Sequence, residues 1–297
     1  MEFDIVNFGS AVVDFFVDTG MAEKGRFIAY PVGSKILVKD LKFDIGGGGT
    51  NTSVAFSRLG LKTGCICKVG DDDAGDKILN LLKKEKIIFL GKQEKNSESG
   101  YSIILDSKEN NRTILTYKGV NDNLTIKDIK KIKTKWLYLS SMLGSSFETQ
   151  KKLVSVLKKK GTKIAFNPSS YLIKRKNLSS LLRLTDVLIL NKEEAKMLIK
   201  NKDLLFGLSK LGPKVVVITD KNKMISCFDG DKKYYLKPNK IKVVERTGAG
   251  DAFASGFVAG QTAEKSIKES LKLGLRESES VVRYFGAKNK LLRFKLK

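Results

Sequence analysis

The chain has 297 residues, carries a formal net charge of +24, and is 41% hydrophobic. This composition is typical of a globular protein with a sizeable core rather than of a disordered chain. The chain contains no histidine, which excludes mechanisms built on a Ser-His-Asp or Cys-His arrangement.

Two segments in the first half of the chain do not fit a regular alternation of strands and helices. Residues 26–45 alternate in polarity as exposed antiparallel strands do. Residues 99–118 predict a hairpin, because two β-rich runs flank a polar turn at residues 108–111. We assign the segments at about 15–45 and 99–118 to a small β-sheet lid.

The remaining sequence predicts strands and helices in alternation. A helix is predicted after the glycines at 46–49, and from residue 135 short apolar runs predict buried parallel strands with helices between them. From Gly250 onward we predict that the chain is helical. This layout predicts one doubly wound α/β domain over residues 1–297, with a mostly parallel sheet and helices on both faces.

The positive charge comes mainly from lysine, since only nine of the 56 basic residues are arginine. A protein that reads nucleic acid is expected to cluster arginines for bidentate contacts. We therefore interpret the charge as a lysine-rich surface and expect no specific nucleic-acid partner. No apolar run reaches the roughly 18 residues that a membrane span requires, and the first residues lack a signal-peptide pattern. We expect no membrane partner and a cytoplasmic location.

The strongest chemical signal is a glycine-rich turn before an apolar helix. Gly248, Ala249 and Gly250 precede Asp251 in this turn. Backbone N–H groups at a helix N-terminus bind anions, and the helix dipole adds to the attraction. A carboxylate beside a transferring phosphoryl group can take the proton of the attacking hydroxyl. The alternative interpretation is that Asp251 only caps the helix.

Three motifs occur together in this chain: TGAGDAF at 247–253, the glycine-rich stretch at 46–51, and Asn191 followed three residues later by Glu194. From Gly9 to about Leu292 the chain resembles the ribokinase-like (PfkB-type) carbohydrate kinase family. The resemblance implies ATP-dependent, Mg²⁺-assisted phosphorylation of a hydroxyl on a small sugar. It also implies that Asp251 is the base and that Gly248, Ala249 and Gly250 form the anion hole.

The resemblance also implies which residues bind the acceptor. Gly46 and Gly47 correspond to the hinge of the lid, and Asn51 corresponds to an asparagine that contacts the substrate. Asp14, which we place at the end of the first strand, corresponds to an aspartate that accepts hydrogen bonds from two substrate hydroxyls. Ribose-specific members carry an asparagine two positions before this aspartate. Val12 stands there in this chain, which is a departure from a ribose site.

Other positions correspond to the nucleotide and metal sites of the family. The resemblance places Asn191 and Glu194 in the network around Mg²⁺, with the metal held through water, and Thr219 and Thr247 near phosphate. The turn after Thr219 lacks the glycines usual in the family. Some members of the family use an aspartate to bind a monovalent cation, so such a cation is a possible further cofactor. Glu245 stands at that position in this chain, which is a departure from the family's cation site.

The sequence leaves several alternatives open. A nucleoside kinase of the same family is the first, since Asp14 and the lid could hold a ribose that carries a base. A sugar phosphate is a further acceptor, and a non-catalytic ligand-binding protein with this fold is an alternative of another class. An exposed lid sheet has open edges, so pairing between two lids would give a homodimer.

Overall fold

The computed structural model describes residues 2–109 and 111–296. The strands are, in chain order, β1 (Phe3–Phe8), β2 (Val12–Asp18), β3 (Glu23–Lys24), β4 (Phe27–Ile28), β5 (Asp40–Gly46), β6 (Thr63–Ile66), β7 (Lys68–Gly70), β8 (Ile88–Phe89), β9 (Lys92–Glu94), β10 (Gly100–Asp106), β11 (Arg112–Tyr117), β12 (Thr134–Ser140), β13 (Lys163–Asn167), β14 (Val187–Asn191), β15 (Val215–Thr219), β16 (Ile225–Phe228) and β17 (Lys233–Leu236). Within the described residues the strands form a large nine-stranded sheet, a smaller four-stranded sheet and two further pairs, β3 with β4 and β7 with β9.

The helices surround the large sheet. They are α1 (Gly48–Arg58), α2 (Asp73–Lys84), α3 (Gly144–Lys158), α4 (Ser170–Arg175), α5 (Ser179–Leu182), α6 (Lys192–Leu198), α7 (Leu204–Ser209), α8 (Ala249–Thr262) and α9 (Ile267–Val281). Within the described ranges, none of them is long and apolar enough to cross a bilayer.

The large sheet has the order β17-β16-β15-β14-β13-β12-β1-β6-β8 over the described residues. The pairs from β15 through β1 to β8 are parallel, and β16 and β17 add an antiparallel edge. From β1 the chain continues to β6 on one side and later to β12 on the other. Such a reversal of strand order opens a crevice at the carboxyl ends of the strands, where ligands bind in this class of fold.

Alternating side chains of the parallel strands pack on the two faces of the large sheet. In β12, Leu137 and Leu139 join the cluster that includes α3 to α7, whereas Trp136 and Tyr138 join the cluster that includes α1, α8 and α9. Both faces are therefore buried under helices, which is why the strands are apolar throughout. The predicted fold class, a doubly wound mostly parallel sheet with helices on both faces and a small β-sheet, is confirmed.

The smaller sheet has the order β11-β10-β2-β5, and its strands come from the segments at 12–46 and 100–117. β10 pairs with β11 and β2 with β5 in antiparallel fashion, while β2 and β10 run parallel. The turn predicted at 108–111 includes residue 110, which lies outside the described residues. We refer to this four-stranded sheet as the lid.

Two expectations about secondary structure were wrong. Residues 29–39 form no strand. The neighbouring strand β2 ends at Asp18, which pairs with Asp40 at the start of β5. The residues before Asp40 therefore have no strand to pair with. The chain is helical only to Val281, and the following residues form turns around Gly286, whose φ is 88°. This last segment returns to α1, where Phe294 N donates to Arg58 O at 3.1 Å.

Candidate active site

A cleft of ≈ 400 Å³ lies between the lid and the carboxyl ends of the parallel strands. Asp14, Ser102 and Thr116 line it from the lid, and Asp251 lines it from α8. Its volume is in the usual range for pockets that bind small molecules. The predicted residues that line the cleft are Asp14, Gly47, Asn191, Glu194, Thr219, Gly250 and Asp251.

The N-terminus of α8 opens into the cleft. Gly248 is its N-cap and has φ 77°, a left-handed conformation that glycine adopts without steric cost. A methyl group added at Gly248 would lie 2.6 Å from the Cβ of Ala287, so the turn packs closely against the last segment of the chain. A methyl group added at Gly250 would meet no atom within 4 Å. The space above Gly250 is therefore open to a ligand.

The backbone donors of this turn differ in what they contact. The N–H of Ala249 donates to the carbonyl of Arg246 at 3.3 Å, and the N–H of Ala252 donates to Gly248 O. Gly250 and Asp251 lie in the first turn of α8, where N–H groups have no acceptor within the helix. These two amides are the best placed to receive an anion.

Asp251 is partly buried at the start of α8. Asn51 Nδ2 donates to Asp251 Oδ2 at 2.9 Å. Burial raises the pKa of Asp251 above its ordinary value, while the bond from Asn51 and the charge of Lys288 lower it. The N-cap of α8 is Gly248, so Asp251 does not occupy the capping position of its helix. The carboxylate therefore faces the cleft instead of capping its helix.

The glycine-rich stretch brings α1 close to the lid and to β1. A methyl group at Gly46 would overlap the carboxylate of Asp14, and Gly47 has φ 95°. The buried side chain of Asn7, on β1, holds the start of α1 because its Nδ2 donates to Gly49 O at 2.5 Å. These contacts fix Asn51 in the first turn of α1, with its amide beside Asp251.

Asp14 lies in the middle of β2, so our placement at the end of the first strand was wrong. β1 ends at Phe8, and the chain passes Gly9 into the lid before it reaches Asp14. Within the lid, Asp14 pairs with Ser102 on one neighbouring strand and with Asp44 on the other. Burial is the main cause that raises the pKa of Asp14 to about 6, and the Ser102 hydroxyl and Lys288 oppose the rise.

Asn191 and Glu194 form a reciprocal capping box at the start of α6. Asn191 Oδ1 accepts from Glu194 N at 2.9 Å, and Glu194 Oε2 accepts from Asn191 N at 2.9 Å. Both residues also line the cleft. Burial raises the pKa of Glu194. The pair therefore has a structural role in this helix, and its side chains remain at the cleft surface.

The end of β15 forms another part of the cleft lining. Thr219 lines the cleft and is followed by a turn in which Lys221 has φ 50°, the conformation that a glycine would favour. Asp220 in this turn pairs with Lys192 on α6, where Nζ lies 2.8 Å from Oδ2. The turn can therefore form without the glycines usual in the family.

The loop before α8 is connected to the lid through Arg112, at the start of β11. Its Nη1 donates to Thr247 Oγ1 at 2.5 Å and also to Glu245 Oε1. Glu245 Oε1 further accepts from Thr247 N at 2.9 Å and Thr247 Oγ1 at 2.8 Å. Burial alone would raise the pKa of Glu245, but the bonds from Thr247 and the guanidinium of Arg112 together hold this pKa below its ordinary value.

Sequence reasoning missed two charged residues beside the site, Asp44 and Lys288. Asp44 stands directly opposite Asp14 in the paired strands β2 and β5. Because side chains alternate between the two faces of a strand, the sequence could have placed Asp44 beside Asp14 only if the register of these strands had been known. Lys288 lies in a segment that was predicted to be helical. Nothing in its local sequence distinguishes it from the other lysines of the chain.

Comparisons with known proteins identify the family and the fold of the chain. Residues 4–293 match the model of the pfkB family carbohydrate kinase. The chain is 28% identical over 251 residues to an uncharacterized sugar kinase of Archaeoglobus fulgidus, covering 81% of this chain and 99% of that protein. It is 29% identical over 259 residues to a ribokinase of Lactococcus lactis subsp. lactis, covering 86% of this chain and 85% of that protein.

Solved structures share the fold. The adenosine kinase from Sinorhizobium meliloti superposes with a TM-score of 0.82 at 20% sequence identity, and the match covers 97% of both chains. At this level of sequence identity the comparison shows a shared fold and nothing further.

Proposed function

The chain belongs to the pfkB family of carbohydrate kinases and is a sugar or nucleoside kinase, and we propose that it moves the γ-phosphoryl group of ATP to a hydroxyl of a small sugar, with Asp251 as the base. The observation that carries this proposal is the position of Asp251. It lies at the open N-terminus of α8 and in the same cleft as Asp14. One cleft thus contains both the carboxylate of Asp14, which binds the acceptor, and that of Asp251, which takes the proton of the attacking hydroxyl.

In this mechanism the lid and the glycine-rich stretch hold the acceptor. Asp14 accepts hydrogen bonds from two neighbouring hydroxyls, because an ionised carboxylate has only acceptors. Gly46 and Gly47 act as the hinge that lets the lid close, and Asn51 contacts the acceptor beside Asp251. Closure removes water from the reacting groups and fixes the attacking oxygen. Asp251 then takes the proton of that hydroxyl.

The donor phosphate lies at the start of α8 in this proposal. The turn of Gly248, Ala249 and Gly250 receives the γ-phosphoryl group, and the N–H groups of Gly250 and Asp251 point along the helix dipole toward it. Thr247 and Thr219 supply hydroxyl groups near the phosphates. This arrangement stabilises the charge that spreads over the phosphoryl oxygens in the transition state.

The residues present fit a hydrated Mg²⁺ rather than a metal held by protein ligands alone. In the described part of the chain, no cluster of three or more acidic or cysteine side chains could hold a metal ion. Glu194 and Asn191 nevertheless offer oxygen at the cleft surface, which suits an ion that keeps most of its waters. When bound, Mg²⁺ neutralises charge on the phosphate oxygens. Glu194 and Asn191 would orient its waters.

For the monovalent cation we propose that no requirement exists. The family resemblance would place such a cation near Glu245, and that carboxylate already accepts hydrogen bonds from Arg112 and Thr247. The guanidinium supplies a positive charge beside the turn that precedes Asp251. An added cation would compete with it.

A nucleoside is the alternative acceptor. The lining of the cleft includes Tyr171, Pro168 and Ile114, which could contact the flat face of a base. Lys118 already lies over the Tyr171 ring, with Nζ 4.7 Å from the ring centroid, so a base would displace it. For this reason we favour a sugar.

We also propose that the protein forms a homodimer through the lid. Leu115, Ile103, Phe15 and Phe43 are in register across its four strands, on the face opposite Asp14. Phe43 is 63% exposed and Leu115 is 52% exposed. An exposed apolar row of this kind marks a protein–protein interface. A monomeric mass for the intact protein in sedimentation equilibrium at micromolar concentration would contradict this proposal.

We place the reaction in the cytoplasm, because that is where ATP is available as the donor. A specific nucleic-acid partner is not part of the proposal. The lysines are distributed over the whole sequence rather than clustered with arginines.

A screen for phosphoryl transfer tests the proposed function. The intact protein is incubated with Mg²⁺ and either ATP or ADP, and with sugars, sugar phosphates and nucleosides as separate acceptors. We expect a phosphorylated sugar with ATP, and no product with Asp251→Asn. A phosphorylated nucleoside would select the alternative acceptor. Tight binding of a sugar without transfer under any donor would identify a non-catalytic binding protein instead.

A further inference from the structure

Lys288 is a cation buried beneath the candidate active site. Its side chain is only 6% exposed, although lysine is rarely buried without a partner. Its Nζ lies 3.2 Å from Asn51 Oδ1 and 3.7 Å from Asp44 Oδ2. Among the described residues that line the cleft, Lys288 does not occur. The residue therefore acts on the cleft through its neighbours.

The backbone around Lys288 is fixed to the two elements that carry the catalytic residues. Arg58 Nη1, at the end of α1, donates to Lys288 O at 2.7 Å. Ala287, the preceding residue, packs against Gly248 at the start of α8. Lys288 is thus held in place relative to both Asn51 on α1 and Asp251 on α8.

The contact with Lys288 determines how the amide of Asn51 is oriented. An ammonium group has only donors, so it can face the oxygen of the amide but not its NH₂ group. With Oδ1 turned toward Lys288, Nδ2 points to Asp251 and donates to its Oδ2 at 2.9 Å. If the amide turned over, Oδ1 would face the carboxylate and the hydrogen bond would be lost.

Three carboxylates share the charge of this one ammonium. Asp14 on β2, Asp44 on β5 and Asp251 on α8 all interact with it electrostatically. Burial lowers the pKa of Lys288, and the three carboxylates oppose that change. Other titratable groups lie nearby: Tyr138 on β12 interacts with Asp251, and Glu194 and Lys118 line the same cleft.

We propose that Lys288 is a positioning residue for phosphoryl transfer: it orients the Asn51 amide toward Asp251 and supplies the positive charge that keeps the carboxylates of Asp251 and Asp14 ionised. The kinetic part of this inference rests on the proposed function, in which both carboxylates must be ionised. The electrostatic part concerns the protein itself and is measurable without an acceptor.

The test is a titration of the aspartate carboxyl carbons by ¹³C NMR in the intact protein. Wild type is compared with Lys288→Met, which removes the charge and keeps an unbranched side chain, and with Lys288→Arg, which keeps the charge. Asp14 and Asp251 are assigned with the Asn variants of each. The charge of Lys288 lowers the pKa of both Asp14 and Asp251, and a nearby opposite charge typically shifts a carboxyl pKa by about one unit or more. We expect both titration midpoints to rise by about one pH unit in Lys288→Met, and to stay nearer the wild-type values in Lys288→Arg.

Folding of each variant is monitored by thermal unfolding. If Lys288→Met does not fold, the effect of removing the charge is measured in the Asp44→Asn protein instead. There, Asp44→Asn is compared with the double variant Asp44→Asn/Lys288→Met, in which one carboxylate fewer surrounds the missing ammonium. The same upward shift is expected between these two proteins. Unchanged midpoints of Asp14 and Asp251 in a folded charge-removing variant would overturn the proposal.

Kinetics separate this inference from the proposed function. If the acceptor screen succeeds, the acid limb of kcat/KM should move upward by the same amount in the charge-removing variant, with the KM for ATP unchanged. If no acceptor is phosphorylated but the midpoints shift, the proposed function fails and the electrostatic role of Lys288 stands. If wild type is active and neither the midpoints nor the acid limb move, only the role of Lys288 fails.

Discussion

Arg112 on the lid donates a hydrogen bond at 2.5 Å to the hydroxyl of Thr247, in the turn that leads into α8. The same guanidinium also pairs with Glu245. The lid and the phosphate-binding turn proposed above are therefore connected directly by a side chain. A side chain that joins the two parts can couple closure of the lid to the geometry of the turn.

We expect Arg112→Met to lower kcat/KM for the acceptor by about tenfold, since a charge-assisted hydrogen bond contributes roughly 1.5–3 kcal/mol and this pair is partly exposed. Steady-state kinetics on the acceptor identified by the screen provide the measurement. Arg26→Met, at an exposed arginine between β3 and β4, is the matched control. Equal kcat/KM for the Arg112 and Arg26 variants would show that the lid contact has no part in turnover.

The phosphate site can be tested at Gly250. Its backbone does not require a left-handed conformation, and an added methyl group would meet no protein atom within 4 Å. Gly250→Ala should therefore fold normally, while the methyl group occupies the space assigned to the γ-phosphoryl group. We expect an increase in the KM for ATP and a loss of kcat, with an unchanged melting temperature. Wild-type kinetics in this variant would place the phosphoryl group elsewhere.

The pH dependence of acceptor use follows from Asp14. Its pKa of about 6 is above the ordinary value, so the group is ionised above pH 6 and becomes protonated as the pH falls through 6. A protonated Asp14 loses its charge-assisted bonds to two hydroxyls. We expect kcat/KM for the acceptor to fall about tenfold per pH unit below this value. A pH profile with no limb between pH 5 and 7 would contradict this role.

Glu194 is expected to influence the Mg²⁺ requirement. Glu194→Gln keeps an oxygen that can accept from Asn191 N, so the capping box of α6 can survive, but the negative charge is lost. A higher Mg²⁺ concentration should then be needed for half-maximal activity, because the carboxylate that orients metal-bound water is missing. The check is a Mg²⁺ titration at saturating ATP and acceptor. Identical Mg²⁺ titrations of variant and wild type would show that Glu194 has no part in the metal site.

The sequence was most informative where local patterns decide the structure. The parallel strands that end at Ser140, Asn167, Asn191 and Thr219 are short apolar runs, and each predicted run is a strand in the large sheet. The turn before Asp251 was recognisable because glycines at a helix start have a specific geometry. These features depend on neighbouring residues in the chain.

The parts that the sequence did not predict depend on contacts between distant segments. Asp14 was placed at the end of β1, because nothing local shows that the chain leaves the large sheet at Gly9 and enters the lid. Asp44 faces Asp14 only through the register of β2 and β5. Lys288 reaches Asn51 across 237 positions of the chain, and its burial arises from packing that no local pattern encodes.

The most direct test of the central claim is the turnover of Asp251→Asn with the acceptor identified by the screen. The variant keeps the shape of the side chain and an oxygen that can accept from Asn51, so the fold and ATP binding should be retained. Loss of a general base typically lowers the rate by about 10²–10⁴-fold. We predict a decrease in kcat of at least this order, with an unchanged dissociation constant for ATP. A folded variant that binds ATP and keeps the wild-type kcat would contradict the assignment of Asp251 as the base.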